Sequence, residues 1–260
     1  MRSLGRSRPM VDGAVALGVL WLCLAGCKHA PSEREQQGAL IHHDLGVQAL
    51  QVGDVQGALR EFQTALEMDP NLAEAHYAMG TLLHLSFGRR EQAIEHFEKA
   101  LALRPNYSEA KANLANVYLD MGQYDRAIAL YREALNDMLY PTPYIAQGNL
   151  GWALYKKGER KAAIENIRAA LIANPKFCQG YRNLGIIYRD QGDTEQSCQQ
   201  FTKYEQACPD AADAYYEQGK CLTKTGQREA AMQAFRECQA KANNQPSLKD
   251  DCRKLQEQLQ

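Results

Sequence analysis

Cysteine and histidine are the side chains here best suited to nucleophilic, redox or metal chemistry, and their placement restricts what they can do. All six histidines, His29, His42, His43, His76, His84 and His96, lie in the first hundred residues, whereas Cys178, Cys198, Cys208, Cys221, Cys238 and Cys252 lie between 178 and 252. A thiolate nucleophile needs an imidazole within hydrogen-bond reach, and this separation disfavours such a pair. His42, His43 and Asp44 are adjacent in sequence, but successive helix positions point to different faces and cannot share one ion. No CxxC or cysteine–histidine spacing occurs among the six cysteines, so zinc finds no ligand set. GxSxG, a phosphate-cradling glycine loop and HExxH are also absent from the sequence. The chain is therefore read as a non-enzyme, with no catalytic residue, metal, cofactor or small-molecule substrate.

The remaining chemistry-bearing cysteine is Cys27. Arg2, Arg6 and Arg8 form a basic head, and Gly13 to Ala25 is uncharged and apolar. That run is too short for a permanent membrane span, which needs about 20 apolar residues. It ends in Leu24-Ala25-Gly26-Cys27, which resembles the lipobox of bacterial lipoproteins. The resemblance implies removal of a signal peptide, 1–26, and acylation of Cys27. Several acyl chains anchor stably, since each buried methylene contributes about 0.8 kcal/mol. Lys28 follows the cysteine where inner-membrane retention resembles an Asp signal, so the expected location is the outer membrane, lipid-anchored and facing the periplasm. Residues 27–38, with Pro31, Ser32 and the polar Glu33 to Gln37, read as lipidated N-terminus and tether. Thirty basic and thirty-one acidic side chains create no net field to recruit nucleic acid. With 45% apolar and 23% charged residues, the remainder is a folded body, not a disordered one.

That body is repetitive. Small residues recur at Gly46, Gly80, Ala115, Gly151, Gly185 and Gly219, in steps of 34, 35, 36, 34 and 34. Behind them run Ala58, Ala93, Ala127, Ala163, Ser197 and Ala231, then Phe62, Phe97, Tyr131, Ile167, Phe201 and Phe235. A small residue on one helix admits a large one from the next. Glycine–polar pairs such as Gly53-Asp54 and Gly192-Asp193 separate the helices, and Pro70, Pro105, Pro141, Pro175 and Pro209 close the units. Together these residues match the tetratricopeptide pattern, which implies helix pairs stacked into a superhelix. The expected fold is all-α, a right-handed α-solenoid of six tetratricopeptide repeats with a C-terminal capping helix. The repeats occupy 39–245, in units 39–72, 73–107, 108–143, 144–177, 178–211 and 212–245, and the cap 246–260 begins at Ser247 as N-cap. Extra residues near Ser86-Phe87-Gly88 and from Met138 to Pro143 lengthen two turns.

Six cysteines allow fifteen connectivities, and antiparallel helices narrow them, because opposed residue numbers sum to twice the turn centre. The turns near 192–193, 209–210 and 245 oppose Cys178 with Cys208, Cys198 with Cys221, and Cys238 with Cys252. Each bridge contributes about 3 kcal/mol in the chain-entropy picture. Six small buried thiols are the competing reading.

Solenoid curvature creates a concave groove lined by first helices. Resemblance to peptide-binding tetratricopeptide proteins implies groove positions Tyr77, Thr81, His84, Asn113, Asn116, Leu119, Asn149, Trp152, Tyr155, Arg182, Asn183, Ile186, Arg189, Tyr216 and Lys220. Asn113, Asn149 and Asn183 occupy equivalent places in consecutive repeats, where an amide can both donate to and accept from a peptide backbone. Packing between neighbouring helices is the competing use of these positions. A lipobox followed by six such repeats resembles the pilotin lipoproteins of type IV pilus systems, the PilF, PilW and Tgl group, and the cysteine-rich C-terminus is most similar to the Tgl type. That resemblance implies binding of secretin subunits, assembly of the outer-membrane secretin, and support of pilus biogenesis and motility. A scaffold or regulator of cell-wall enzymes, or an accessory to a hydrolase, is the alternative.

Overall fold

The computed structural model describes residues 30–259, so the expected signal peptide and lipidation site, Cys27, lie outside the described residues. Thirteen helices and no strand occur among those described. Six antiparallel pairs follow one another: α1 (Glu33–Gln51) with α2 (Val55–Met68), α3 (Ala73–Leu85) with α4 (Arg90–Leu103), and α5 (Ser108–Asp120) with α6 (Tyr124–Leu135). Next come α7 (Pro143–Lys157) with α8 (Arg160–Ala173), α9 (Cys178–Asp190) with α10 (Thr194–Ala207), and α11 (Ala212–Lys224) with α12 (Arg228–Lys241). A last helix, α13 (Pro246–Glu257), covers the end. Each helix packs on its neighbours in sequence, and first helices of successive pairs also touch, as α3 does α5 and α5 does α7. This is a helical solenoid of tetratricopeptide repeats closed by a C-terminal helix.

Backbone sterics explain the two kinds of corner. Within a pair the chain turns through a left-handed glycine, such as Gly158 at φ 100°, a region that a Cβ makes costly. Between pairs the residue before proline is forced out of the helical region. Asp69, Arg104, Asn174 and Cys208 accordingly have φ between −133° and −142° and end their helices.

Close approach of the two helices in a pair makes the core. Phe62, Phe97, Tyr131, Ile167, Phe201 and Phe235 are fully buried. A Cβ built on Gly46 or Gly185 would stand 2.5 Å from a ring carbon of Phe62 or Phe201, and one on Gly219 2.6 Å from Phe235. Ser197, where the other repeats have alanine, donates its hydroxyl to the Gly185 carbonyl at 2.8 Å, so its burial leaves nothing unpaired.

One cluster of buried side chains runs without interruption from Ala58 to Tyr188. Beyond it the core divides into two small clusters, one around Phe201 and Tyr204, the other around Phe235. Cysteines complete both. Cys178 and Cys208 join the two helices of the fifth pair with Cα atoms 5.9 Å apart. Cys198 and Cys221 join that pair to the sixth at 5.5 Å, and Cys238 and Cys252 join the sixth to the cap at 6.3 Å. Covalent links thus stand where the C-terminal core is divided into small clusters.

Two helix starts differ from expectation. Residues 33–38, read as tether, form the first turns of α1, because Ser32 and Glu35 make a capping box: the Glu35 amide donates to Ser32 Oγ at 3.3 Å, and the Ser32 amide to Glu35 Oε2 at 2.7 Å. At the other end Gln245, not Ser247, is the N-cap, since Pro246 takes the first helical position, for which its fixed φ is suited.

Gly185→Val is expected to destabilise the protein by about 2 kcal/mol through overpacking on Phe201. Combining it with Phe201→Leu should recover part of that loss in chemical denaturation, and strictly additive effects would contradict the contact. Reduction of the disulfides should accelerate amide hydrogen exchange in α10 to α13 while leaving α3 to α8 protected; uniform loss of protection would show that the bridges do not act locally.

Candidate functional site

First helices α3, α5, α7 and α9 together line an open cavity of about 690 Å³. Of the expected groove residues it gathers His84, Asn116, Leu119, Asn149 and Trp152. The structure adds Leu85, Asp120, Tyr124, Lys156 and Gln179, which sequence pattern did not single out. A usable signal existed for one of them: Asp120 stands one residue after Leu119, the equivalent of His84, and therefore faces the end of the preceding first helix. His84 Nε2 lies 2.9 Å from Asp120 Oδ2. One repeat pair further on, the Tyr155 hydroxyl donates to Asp190 in the same register.

The asparagines form a connected row and do not simply face solvent. Asn113 Nδ2 donates to the Tyr77 hydroxyl at 3.1 Å and to Thr81 Oγ1 at 3.2 Å. Asn116 Oδ1 accepts from the buried Tyr131 hydroxyl at 2.5 Å and from Asn149 Nδ2 at 3.0 Å. Burial is the chief cause that pushes the Tyr131 phenol far above its ordinary pKa, so it stays a donor. The bonds of Asn113 and Asn149 join a first helix to the one before it and Tyr131 ties α6 to α5, so part of the capacity of these amides is spent bracing the stack. What remains can serve a bound chain.

Asn183 departs from the expected groove role. It is only 1% exposed, and neither polar atom of its side chain has a partner. Register accounts for the unpaired Nδ2: Thr81 and Asn116 accept from the next repeat's asparagine, but the corresponding residue before Asn183 is Trp152, whose one polar atom is a donor. Trp152 instead stacks near Tyr155 at 5.0 Å between centroids and carries Lys156 Nζ 5.0 Å from its ring.

Toward the C-terminus the face becomes charged. Arg182 Nε donates to Asp213 at 3.2 Å. Glu217, equivalent to the asparagines, accepts from Arg189 at 2.7 Å and Lys220 at 3.0 Å. Lys220 also lies 4.5 Å above Tyr216, and Ile186 packs on the Phe201 cluster. The expected positions lie along the first helices, but the cavity joins only five of them, from the second to the fourth pair. Among the described residues no group of three metal-ligating side chains is assembled, and no helix is long and apolar enough to cross a membrane. The arrangement suits recognition of an extended chain through amides flanked by an indole, aliphatic side chains and both signs of charge.

Family comparison agrees with this architecture. Tetratricopeptide-repeat families match residues 84–139, 149–212 and 212–240, and the chain is a tetratricopeptide-repeat protein. Among solved structures it is similar to PilW, described as a widely conserved type IV pilus biogenesis factor, with TM-score 0.72 and 24% identity over 83% of this chain and 98% of that one. PilF of Pseudomonas aeruginosa superposes with TM-score 0.69 and 19% identity over 85% of this chain and 99% of that one. MamA of Desulfovibrio magneticus gives TM-score 0.57 and 25% identity, covering 65% and 94%. Curated relatives are partial: tetratricopeptide repeat protein 37 of Xenopus laevis is 24% identical over 84% of this chain, and BBSome member BBS4 of Bos taurus 27% identical over 64%. The chain spans only 14% and 32% of those two proteins.

If Asn116 is the hub of the row, Asn116→Leu should cost about 1–3 kcal/mol, because it leaves the Tyr131 hydroxyl buried without an acceptor. Asn116→Leu with Tyr131→Phe should restore most of that stability; a double variant as unstable as the sum of the single ones would refute the hub.

Proposed function

We propose that this chain is an outer-membrane lipoprotein of the pilotin type, anchored through acylated Cys27, that binds secretin subunits and promotes their assembly into the type IV pilus channel. The observation that carries the reading is end-to-end likeness: the matched fold spans 98% of PilW and 99% of PilF. The lipobox and the C-terminal cysteines support the same assignment and favour the Tgl type. In this reading the solenoid supplies recognition only, and the first-helix groove receives an extended segment of the secretin. Anchoring at the membrane where the secretin must insert raises the effective concentration of one partner near the other without any new contact. Acylation of Cys27 positions the protein and takes no part in recognition.

The test is a deletion strain complemented with the intact chain or with Cys27→Ala, its envelopes assayed for heat-resistant secretin multimers. Multimers restored by the intact chain and lost or mislocalised with Cys27→Ala are the expected result. Normal multimers in the deletion strain, especially with altered wall cross-linking, would replace this reading with that of a scaffold for cell-wall enzymes.

A further inference from the structure

The C-terminal end of the solenoid is covered by α13, whereas α1 presents an apolar surface at the other end. Ile41 is 60% exposed, Leu45 41% and Val52 82%. Ile41 and Leu45 stand one turn apart on one side of the helix, and Val52 is the residue that caps its C-terminus. Leu45 occupies a repeat position that is core elsewhere: its equivalents Met79, Leu114, Leu150 and Leu184 are only 2–4% exposed. In those repeats the preceding pair supplies the cover.

Another repeat does not fit here. At the position of Ile41 later units carry alanine or glycine, as at Ala75, Ala110 and Gly180, all buried. Those residues are small because a preceding helix lies on them, and an isoleucine would hold such a helix away. A second copy is also a poor occupant, for a few aliphatic side chains on one helix fall short of the roughly 800 Å² per partner that a stable interface buries.

Position singles out the remaining occupant. Only residues 28–32 separate Cys27 from α1, a reach of at most about 20 Å even when fully extended. We propose that this face of α1 rests on the lipid bilayer beside the anchor, with Ile41, Leu45 and Val52 in the headgroup–acyl boundary. Arg34, exposed two turns before Ile41 on the same side, meets the phosphates. The neighbouring Asp44 carboxylate is bonded to His43 Nδ1 at 3.0 Å. Acyl chains provide retention, and α1 sets the angle at which the groove stands above the membrane. This inference rests on the lipoprotein reading.

The test uses the mature protein purified from envelopes in a Trp152→Phe background, with Ile41→Trp or, as control, Met138→Trp at a site 98% exposed in the α6–α7 turn. Both are bound to phosphatidylethanolamine–phosphatidylglycerol vesicles with brominated acyl chains. Ile41→Trp should shift its emission to the blue and lose roughly half of it to bromine, as expected for an indole 5–10 Å into the interface, while Met138→Trp stays unquenched. An unquenched, water-like Ile41→Trp on vesicles that retain the protein would overturn the proposal. So would a blue shift that grows with protein concentration before vesicles are added, which would assign the face to a second copy. Mass spectrometry of the N-terminal peptide separates the two readings: an unacylated Cys27 removes the anchor, and quenching by added vesicles still decides the face.

Discussion

A hydrogen atom standing where a methyl would otherwise be decides the geometry of this molecule. Gly46, Gly185 and Gly219 let Phe62, Phe201 and Phe235 press against the backbone of the preceding helix, at separations that a Cβ would violate. That contact sets how closely the helices of a pair nest, and repeated along the chain it aligns the first helices side by side. The groove is the far side of those helices. It exists because the second helices are held so tightly to the near side.

The same alignment gives the groove a repeating chemistry and then varies it. Equivalent positions carry Asn113, Asn149, Asn183 and Glu217; Asn113, Asn149 and Glu217 each find a different neighbour, and Asn183 finds none. Amides meet hydroxyls and amides in the middle of the solenoid; a carboxylate meets Arg189 and Lys220 at its end. Between them Trp152 interrupts the row, and its indole sits at the rim of the cavity where an apolar anchor of a bound chain can pack. In the proposed reading, rigid bracing and partner recognition use the same side chains. A groove already ordered by its own hydrogen bonds loses little entropy on binding.

Residues whose identity is dictated by local sterics were legible without coordinates. Glycine opposite phenylalanine, proline after the second helix and glycine at the turn leave few substitutes, so they announce the repeat wherever it occurs. The cysteine partners were legible for a related reason, since antiparallel hairpins convert sequence distance into spatial opposition. Features that depend on a neighbour's identity were not. Asn183 resembles Asn149 in pattern, but the residue one repeat earlier is Trp152, which offers its amide no acceptor. The start of α1 was hidden because a capping box lies inside a stretch whose composition is that of a tether. Likewise Lys156 stands where Asp120 and Asp190 stand in neighbouring repeats, so that position carries no constant charge to read.

The central claim, that the first-helix groove receives the secretin, is tested most directly by photo-crosslinking in cells. A photoreactive amino acid would replace Leu85, 74% exposed at the cavity, or Ile172, 83% exposed on α8 and outside the cavity's lining. The account predicts a secretin adduct from position 85 and none from position 172. An adduct from position 172 alone, or from neither while secretin assembly proceeds normally, would contradict it.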